Sequence, residues 1–462
     1  MTDLLRGFLY FVSIFYIAYL IVFAAFSFMA VVIGSYRLYI MDIMIRYKNK
    51  LSHEDLPVSV ILPAYNEDVT VVDSVNSLLA LDYQLYEIIV VDDGSKDETA
   101  QKLIDAFDMK AVPNRFIGRE LACQPETAVY EKKINGVGVT LISKVNGGKG
   151  DALNMGINAS RHPYFVCMDA DSKLLKNSLK ELVEPVFEDD TIIAVGGMIA
   201  ISQCVRTENG KAISYQLPSN LLVCMQAVEY NRSFLASRIL MDSFNGNLII
   251  SGAFGLFKKS TVVAAGGYSN DSLGEDMELV VRLHGYCRNN NMDYRMRYQP
   301  SAVCMTQAPE RFQDLKGQRR RWHIGLLQSM FIHRRVMLNL RFGLVSFFSY
   351  LYYLLYELIS PIIELFGIGT IVLAYYLDIL NLQYMIVFLA IYALFGTITS
   401  LSTFSQQIYI QKLKISFLDM LKVLSLCVLE FVFFRYVLVV VRVMALLGYG
   451  KSKKVWGEIK RV

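Results

Sequence analysis

The sequence predicts an α/β domain with a mostly parallel sheet, flanked by transmembrane helices. Three observations carry this expectation. Of 462 residues, 54% are hydrophobic and only 19% are charged, against an apolar share of ~45–50% in ordinary soluble domains. The charges concentrate in roughly residues 44–340. Inside that charged region, short apolar runs alternate with segments of helical period, as strand–helix–strand units do. The expected organisation is a transmembrane anchor at 1–50, a cytoplasmic α/β domain at 51–340, transmembrane and interfacial helices at 341–450, and a cytoplasmic tail at 451–462.

The stretch from Phe8 to Ser35 has no charge, which is enough to cross a hydrocarbon core of about 30 Å. It exceeds the apolar region of a signal peptide and no convincing cleavage site follows, so it reads as an anchor. Arg37, Arg46, Lys48 and Lys50 follow it, whereas Arg6 stands almost alone before it. The positive-inside rule puts the central domain in the cytoplasm. Val58–Leu62 reads as the first strand and Val69–Leu81 as a helix, with Val72, Val75, Leu78 and Leu79 at helical spacing. Glu87–Val91 is a second strand running into Asp92 and Asp93, and Asp97–Phe107 a second helix. Residues 108–137 read as an irregular insertion. Val139–Ile142, the helix Gly150–Ala159 and the strand Tyr164–Met168 follow, the last again ending in acid. Ligands of such sheets bind beyond the carboxyl ends of the strands, where the polar motifs fall.

Three apolar blocks come after the domain, at about 344–380, 384–404 and 417–449. Glu430, Arg435 and Arg442 argue against a simple lipid-facing helix in the last. The tail from Lys451 to Val462 carries five basic residues and one acid, which predicts a cytoplasmic location. An even number of C-terminal crossings is then implied, without saying which block doubles or fails to cross.

Composition excludes several functions. A net charge of +4 is too small to suggest nucleic acid. The seven cysteines are scattered without a CxxC and the five histidines are dispersed, so neither a disulfide framework nor a zinc site is expected. No GxGxxG follows the first strand, which disfavours nicotinamide and flavin. Asn146-Gly147-Gly148-Lys149-Gly150 lacks the first glycine of a P-loop and its magnesium-holding hydroxyl. The strand ends offer acid instead: Asp92-Asp93, Asp169-Ala170-Asp171 and, later, Glu275-Asp276. Carboxylates reach phosphate through a hard divalent cation. The plainer readings are acidic turns, with Glu275-Asp276 serving only the N-terminus of a helix over Met277–His284. Arg319–Arg321 could be a membrane-surface cluster, Trp322 an interfacial anchor and Glu67 a solvated loop acid. Arg232 and Arg238 read as surface residues.

Taken in order, Pro63-Ala64-Tyr65-Asn66-Glu67, Val91-Asp92-Asp93-Gly94-Ser95, Gly148–Asn154, Asp169-Ala170-Asp171, Gly274-Glu275-Asp276 and Gln318-Arg319-Arg320-Arg321-Trp322 resemble the family 2 glycosyltransferases. The likeness is to the processive membrane synthases of poly-N-acetylglucosamine, chitin, hyaluronan and cellulose. It implies a GT-A-like glycosyltransferase domain. Tyr65, Glu67 and Asp93 would line a uridine pocket, and Lys149 would lie near the diphosphate or the donor sugar. Asp169 and Asp171 would meet UDP and Mg²⁺ or Mn²⁺. Asp276, beside Glu275, would be the catalytic base. Gln318 opens the last motif, Arg321 would meet the pyrophosphate and Trp322 would stack under the acceptor sugar. Gln226-x-x-Glu229-Tyr230 resembles the segment near the channel mouth. Trp456, in Val455–Arg461, resembles part of a C-terminal gating loop.

The implied function is inverting, processive polymerisation of a UDP-sugar, UDP-N-acetylhexosamine first and UDP-glucose next, into a β-linked exopolysaccharide and its export across the membrane. The implied partners are the UDP-sugar donor, the growing polysaccharide, the lipid bilayer and accessory export or regulatory proteins. A nonprocessive transferase to a lipid-linked acceptor and a non-catalytic membrane scaffold or transporter are the alternatives.

Overall fold

Residues 2–48 and 56–449 are described by the computed structural model. Twelve strands form: β1 (Val58–Ala64), β2 (Tyr86–Asp92), β3 (Lys110–Ala111), β4 (Glu126–Ile134), β5 (Val137–Lys144), β6 (Tyr164–Cys167), β7 (Lys173–Leu174), β8 (Ile192–Ile201), β9 (Val205–Glu208), β10 (Lys211–Tyr215), β11 (Gly255–Lys258) and β12 (Arg295–Thr306). Ten of them make one sheet in the order β3-β4-β5-β2-β1-β6-β11-β8-β12-β7, and β9 pairs with β10 apart. The centre, β5-β2-β1-β6, is parallel, with Val60 opposite both Ile88 and Val166. β11 runs antiparallel between β6 and β8, while β8 and β12 are parallel. The sheet is therefore mixed, with a parallel heart.

Strand alternation builds two cores. Val58, Val60, Leu62 and Val90 face one layer, where Val71, Val75 and Leu78 of the helix Val71–Leu79 and Leu103 of the helix Thr99–Phe107 pack. Ile61, Ile89 and Val91 face the other, against Leu153 and Met155 of the helix Lys149–Ala159 and Leu279 and Leu283 of the helix Glu275–Asn289. Both faces are covered, so the central strands read as near-continuous apolar runs.

Residues 108–137 are not irregular. They contain β3 and β4, and β4 returns on β5 as an antiparallel hairpin. Its turn is Asn135-Gly136, both at positive φ (49° and 90°), the backbone that a tight hairpin requires. β4 lies near the sheet edge and exposes much of its length, so it carries Glu131, Lys132 and Lys133 and lacks the apolar signature of the central strands. The helix expected over Met277–His284 also begins earlier, at Glu275.

Among the described residues, three helices are long and apolar enough to cross a membrane: Leu5–Met41, Leu382–Gln411 and Phe417–Leu447. Val345–Leu358 and Ser360–Tyr376, bent by 50° at their junction, qualify together as a fourth. The N-terminal helix spans Thr2–Lys48, about 70 Å at the usual rise, so it outruns a bilayer. Its later part docks on the domain: Leu38 packs with Leu235 and Ile239, and Arg37 lies 3.6 Å from Asp242. Tyr16 bonds the Ile363 carbonyl while Phe26 stacks on Tyr352 at 4.1 Å, so the bent pair runs antiparallel to it. Gln406 donates to Ser35 at 2.9 Å.

The helical stretch Phe417–Leu447 is two-faced. Phe417, Leu421, Leu424, Val428, Val432, Tyr436, Val440 and Met444 are exposed, whereas Val423, Cys427, Glu430, Phe434, Leu438 and Ala445 are buried. Both ends abut the α/β domain. Just before the first, Tyr215 N–H donates to the Lys414 carbonyl at 2.8 Å. Near the second, Arg442 lies 3.8 Å from Glu229.

Candidate active site

The loops after β1 and β2 are stitched together. Asn66 sits at φ 56° and its N–H donates to the Ser95 hydroxyl at 3.0 Å. Lys96 N–H donates to the Asn66 side-chain oxygen at 2.9 Å, and Glu67 N–H to the Thr99 hydroxyl at 2.8 Å. The Glu67 carboxylate accepts from Thr70 at 2.8 Å, so it is a fixed group of the loop. Tyr65 is half-exposed at the rim.

Asp93 is buried and heavily engaged. It accepts from Lys144 Nζ at 2.5 Å, Gly147 N–H at 3.0 Å and Gly148 N–H at 2.7 Å. Burial raises its pKa, and these donors pull it back. Lys144 is wholly buried and also pairs with Asp151 at 2.6 Å. Asp93 thus holds the glycine loop in place as well as lining the cavity. Gly148, at φ 92°, turns the chain into the helix Lys149–Ala159, a backbone that L side chains rarely adopt.

Lys149, the first residue of that helix, meets the second acidic group. Its Nζ is 2.6 Å from Asp169 and 3.4 Å from Glu275. Burial acts against its ammonium, but Asp169 and Glu275 outweigh it and raise the pKa. Glu275 is shifted up by burial, with Lys149 opposing and Asp276 reinforcing. Asp276 Oδ2 accepts from Gly252 N–H at 3.2 Å and Oδ1 from Met277 N–H at 2.8 Å, so its carboxylate is aimed by backbone. Asp169 and Asp171 follow β6 with oxygen donors alone, the set that suits a hard divalent cation. Among the described residues no group of three or more His, Cys, Asp or Glu is arranged to hold a metal, so a diphosphate and water would have to complete the shell.

The opposite wall is the helix Phe312–Ile332, which carries Gln318, Arg319, Arg321 and Trp322. Arg319 is buried rather than on a membrane surface. It pairs with Glu229 at 2.5 Å and lies 4.6 Å over the Trp322 ring. Trp322 also meets Tyr230 and Phe234, at centroid distances of 6.1 and 6.2 Å. This helix touches the start of the helix Glu275–Asn289 backbone to backbone. A Cβ on Gly325 would come within 2.6 Å of Gly274 N.

Tyr65, Glu67, Asp93, Lys149, Asp169, Asp171, Glu275, Asp276, Gln318, Arg321 and Trp322 all line one cavity of about 1970 Å³. That exceeds a usual small-ligand pocket of about 300–1,000 Å³ and leaves room for a second substrate. A smaller cavity of about 90 Å³ adjoins it within the helices and shares Glu229, Ser233, Ser237, Tyr352, Glu357 and Arg442. It holds the pairs Arg232–Glu430 (2.8 Å) and Arg435–Glu364 (2.7 Å). Arg232 and Arg238 are therefore interior residues, not surface ones; Arg238 is 3% exposed. Trp456 lies outside the described residues. Lys144 and His323 are absent from the sequence reading. Lys144 stands two residues before Asn146, and His323 directly follows Trp322, so proximity to a motif is their only signal.

Comparison with known proteins identifies the family and the fold. The family described as "Glycosyl transferase family group 2" matches residues 164–399, and "Glycosyl transferase family 2" matches 59–118. Poly-beta-1,6-N-acetyl-D-glucosamine synthase of Staphylococcus aureus (strain COL) is 30% identical over 58% of this chain and 54% of that protein. The synthase of the same name from Staphylococcus epidermidis is 30% identical over 60% and 56%. The match thus spans about half the length of these relatives. A mannosyltransferase from Pyrobaculum calidifontis, solved with GDP-Man and Mn²⁺, shares the fold at a TM-score of 0.52 and 17% identity, covering 89% of this chain and 99% of that one. The family match over half the chain, on a GT-A-like sheet with apolar membrane-length helices, makes this a membrane protein that belongs to the family 2 glycosyltransferases.

Proposed function

We propose that the chain is an inverting, processive hexosyltransferase that polymerises UDP-N-acetylhexosamine into a β-linked exopolysaccharide and passes it across the membrane. The observation that carries this reading is the sharing of one cavity by the strand-end acids, the Asp276 carboxylate and the Trp322 ring. The adjoining polar cavity between the helices supports export, and the resemblance to poly-N-acetylglucosamine synthases supports the donor.

Tyr65, Glu67 and Asp93 hold the nucleotide end, and Lys149 and Arg321 face the diphosphate. Asp169 and Asp171 would hold Mg²⁺ or Mn²⁺, whose charge helps neutralise the departing UDP. Asp276 accepts the proton of the acceptor hydroxyl as that oxygen bonds to the anomeric carbon. The bond from that carbon to the UDP oxygen breaks, and UDP leaves with the electron pair. One such displacement inverts an α-linked donor to a β-linkage. Glu275 keeps Lys149 in place beside the acids. Trp322 presents the acceptor ring.

The domain boundaries proposed are 1–50, 51–340, 341–450 and 451–462. The basic residues after the first apolar stretch support a cytoplasmic active site. The two-faced stretch Phe417–Leu447, whose ends both abut the domain, fits an interfacial helix, with two C-terminal crossings returning the tail to the cytoplasm. Purified protein incubated with a panel of UDP-sugars tests the reading through UDP release and product sizing. Long β-linked N-acetylhexosamine chains are expected. Single-sugar products on a lipid would overturn processivity, and no transfer from any UDP-sugar would overturn the activity.

A further inference from the structure

Arg238 lies in the helix Ser237–Asp242 and lines the main cavity. It is 3% exposed, with its guanidinium 4.7 Å from the Phe234 ring centroid and 5.9 Å from that of Tyr298. Among the described residues it makes no hydrogen bond or ion pair. Ring faces compensate a cation only in part. None of the Arg238 nitrogens is fully enclosed without a partner; they open onto the cavity, where a ligand oxygen can replace water as the acceptor.

Arg238 is on the acceptor side of the site. Arg238, Tyr353, Glu357 and Asp276 line the same cavity, and Phe234 touches both Arg238 and Trp322. A buried unpartnered atom stands on the same wall. His323 Nε2 is buried without a hydrogen-bond partner. Burial and the Arg442 charge push its imidazole down to about 3, so it is neutral and offers one donor and one acceptor, as a sugar hydroxyl requires.

Glu229 and Glu357 are held by Arg319 and Arg442, so the acids of this wall are balanced by its own arginines. Arg238 repels a protonated amine. The chain of the proposed polymer is neutral, and the acetamido carbonyl is the strongest neutral acceptor that an N-acetylhexosamine carries. We propose that Arg238 determines acceptor specificity by donating to the acetamido carbonyl of the growing chain. This rests on the polymerase reading above.

The test uses the full chain in detergent with UDP-N-acetylglucosamine. Two oligosaccharide acceptors are compared, one of N-acetylglucosamine and its de-N-acetylated counterpart. Arg238→Met should raise KM for the acetylated acceptor about tenfold or more, as loss of a charged hydrogen bond predicts. UDP affinity should not change, and discrimination between the two acceptors should collapse. Arg238→Lys keeps the charge without the planar fork and should discriminate to an intermediate degree. It also serves should the Met variant fail to fold, as UDP affinity would reveal. An Arg238→Met or Arg238→Lys enzyme with wild-type discrimination overturns the proposal. Wild-type protein that elongates both acceptors equally overturns the proposal alone. Wild-type protein that elongates neither overturns the polymerase reading and the proposal with it.

Discussion

Replacing Arg319 by Met should unsettle the acceptor wall from beneath. The guanidinium and the Glu229 carboxylate are 2.5 Å apart and 4% and 3% exposed. Breaking a buried pair from one side costs about 3–5 kcal/mol, because the remaining charge is stranded. Here Arg442, 3.8 Å from Glu229, still compensates part of that charge, so the lower end, about 3 kcal/mol, is expected. Removing both charges with Glu229→Gln and Arg319→Met should recover about 2 kcal/mol of the loss, since no carboxylate then stays buried against apolar surface. Unfolding of the wild type, both single variants and the double variant in one detergent gives the coupling energy directly. Activity should fall in Arg319→Met even where the protein remains folded, because the Trp322 ring loses the cation 4.6 Å from it. Additive losses in the double variant, or a single variant within about 1 kcal/mol of wild type, would refute the reasoning.

Asp276→Asn should lower transfer by about 10²–10⁴-fold while UDP still binds, because an amide cannot take the acceptor's proton; near-normal polymer from this variant would remove Asp276 from that role. Asp169→Ala or Asp171→Ala should weaken UDP binding in the presence of Mg²⁺ or Mn²⁺ but change it little in chelator, measured by calorimetry. Trp322→Ala should reduce polymer yield more than UDP affinity, and normal yield and length would leave only a structural role. His284 is buried between Tyr294 and the Asn247 carbonyl, and burial lowers its pKa from 6.5 to about 4. The unfolded chain therefore takes up this proton first: the stability is complete above pH 6.5 and drains away as pH falls toward about 4. About 2 kcal/mol should be lost between about pH 7 and about pH 5, and His284→Gln should flatten that slope in unfolding measurements.

The parallel heart of the sheet was legible because strands buried on both faces announce themselves: Val58–Leu62 and Glu87–Val91 are nearly continuous apolar runs, each ending at functional residues. β4 was not, because a strand near the sheet edge with a solvated face tolerates Glu131, Lys132 and Lys133, and only Asn135-Gly136 marks its turn. The convergence of Asp93 and Asp169 followed from strand ends sharing one edge, whereas Asp276 arrives on the first turn of the helix Glu275–Asn289. What surrounds them did not. Arg238 and Arg319 look like surface cations in one dimension, since burial depends on which distant helix supplies the rings or the carboxylate. Glu229 stands 90 residues before its Arg319 partner, a pairing that no local spacing encodes. The number of membrane crossings was likewise open, because the two faces of Phe417–Leu447 differ in what they pack against more than in composition.

The contact between Gly274 and Gly325 has a consequence for repetition. One glycine stands two residues before Asp276 and the other three after Trp322; Gly325 leaves no space for a side chain, and a Cβ on Gly274 would meet the Gly325 backbone at 3.1 Å. On the proposed reading, proton acceptor and stacking ring therefore ride on one block, like the jaws of a fixed gauge. A chain lengthened by one sugar must itself shift by one sugar to present its new end, since the gauge has no slack to follow it. On the proposed reading, the unit of advance is set by the glycan's own repeat, and a bulkier residue at Gly325 would spoil every cycle alike rather than shorten the product progressively.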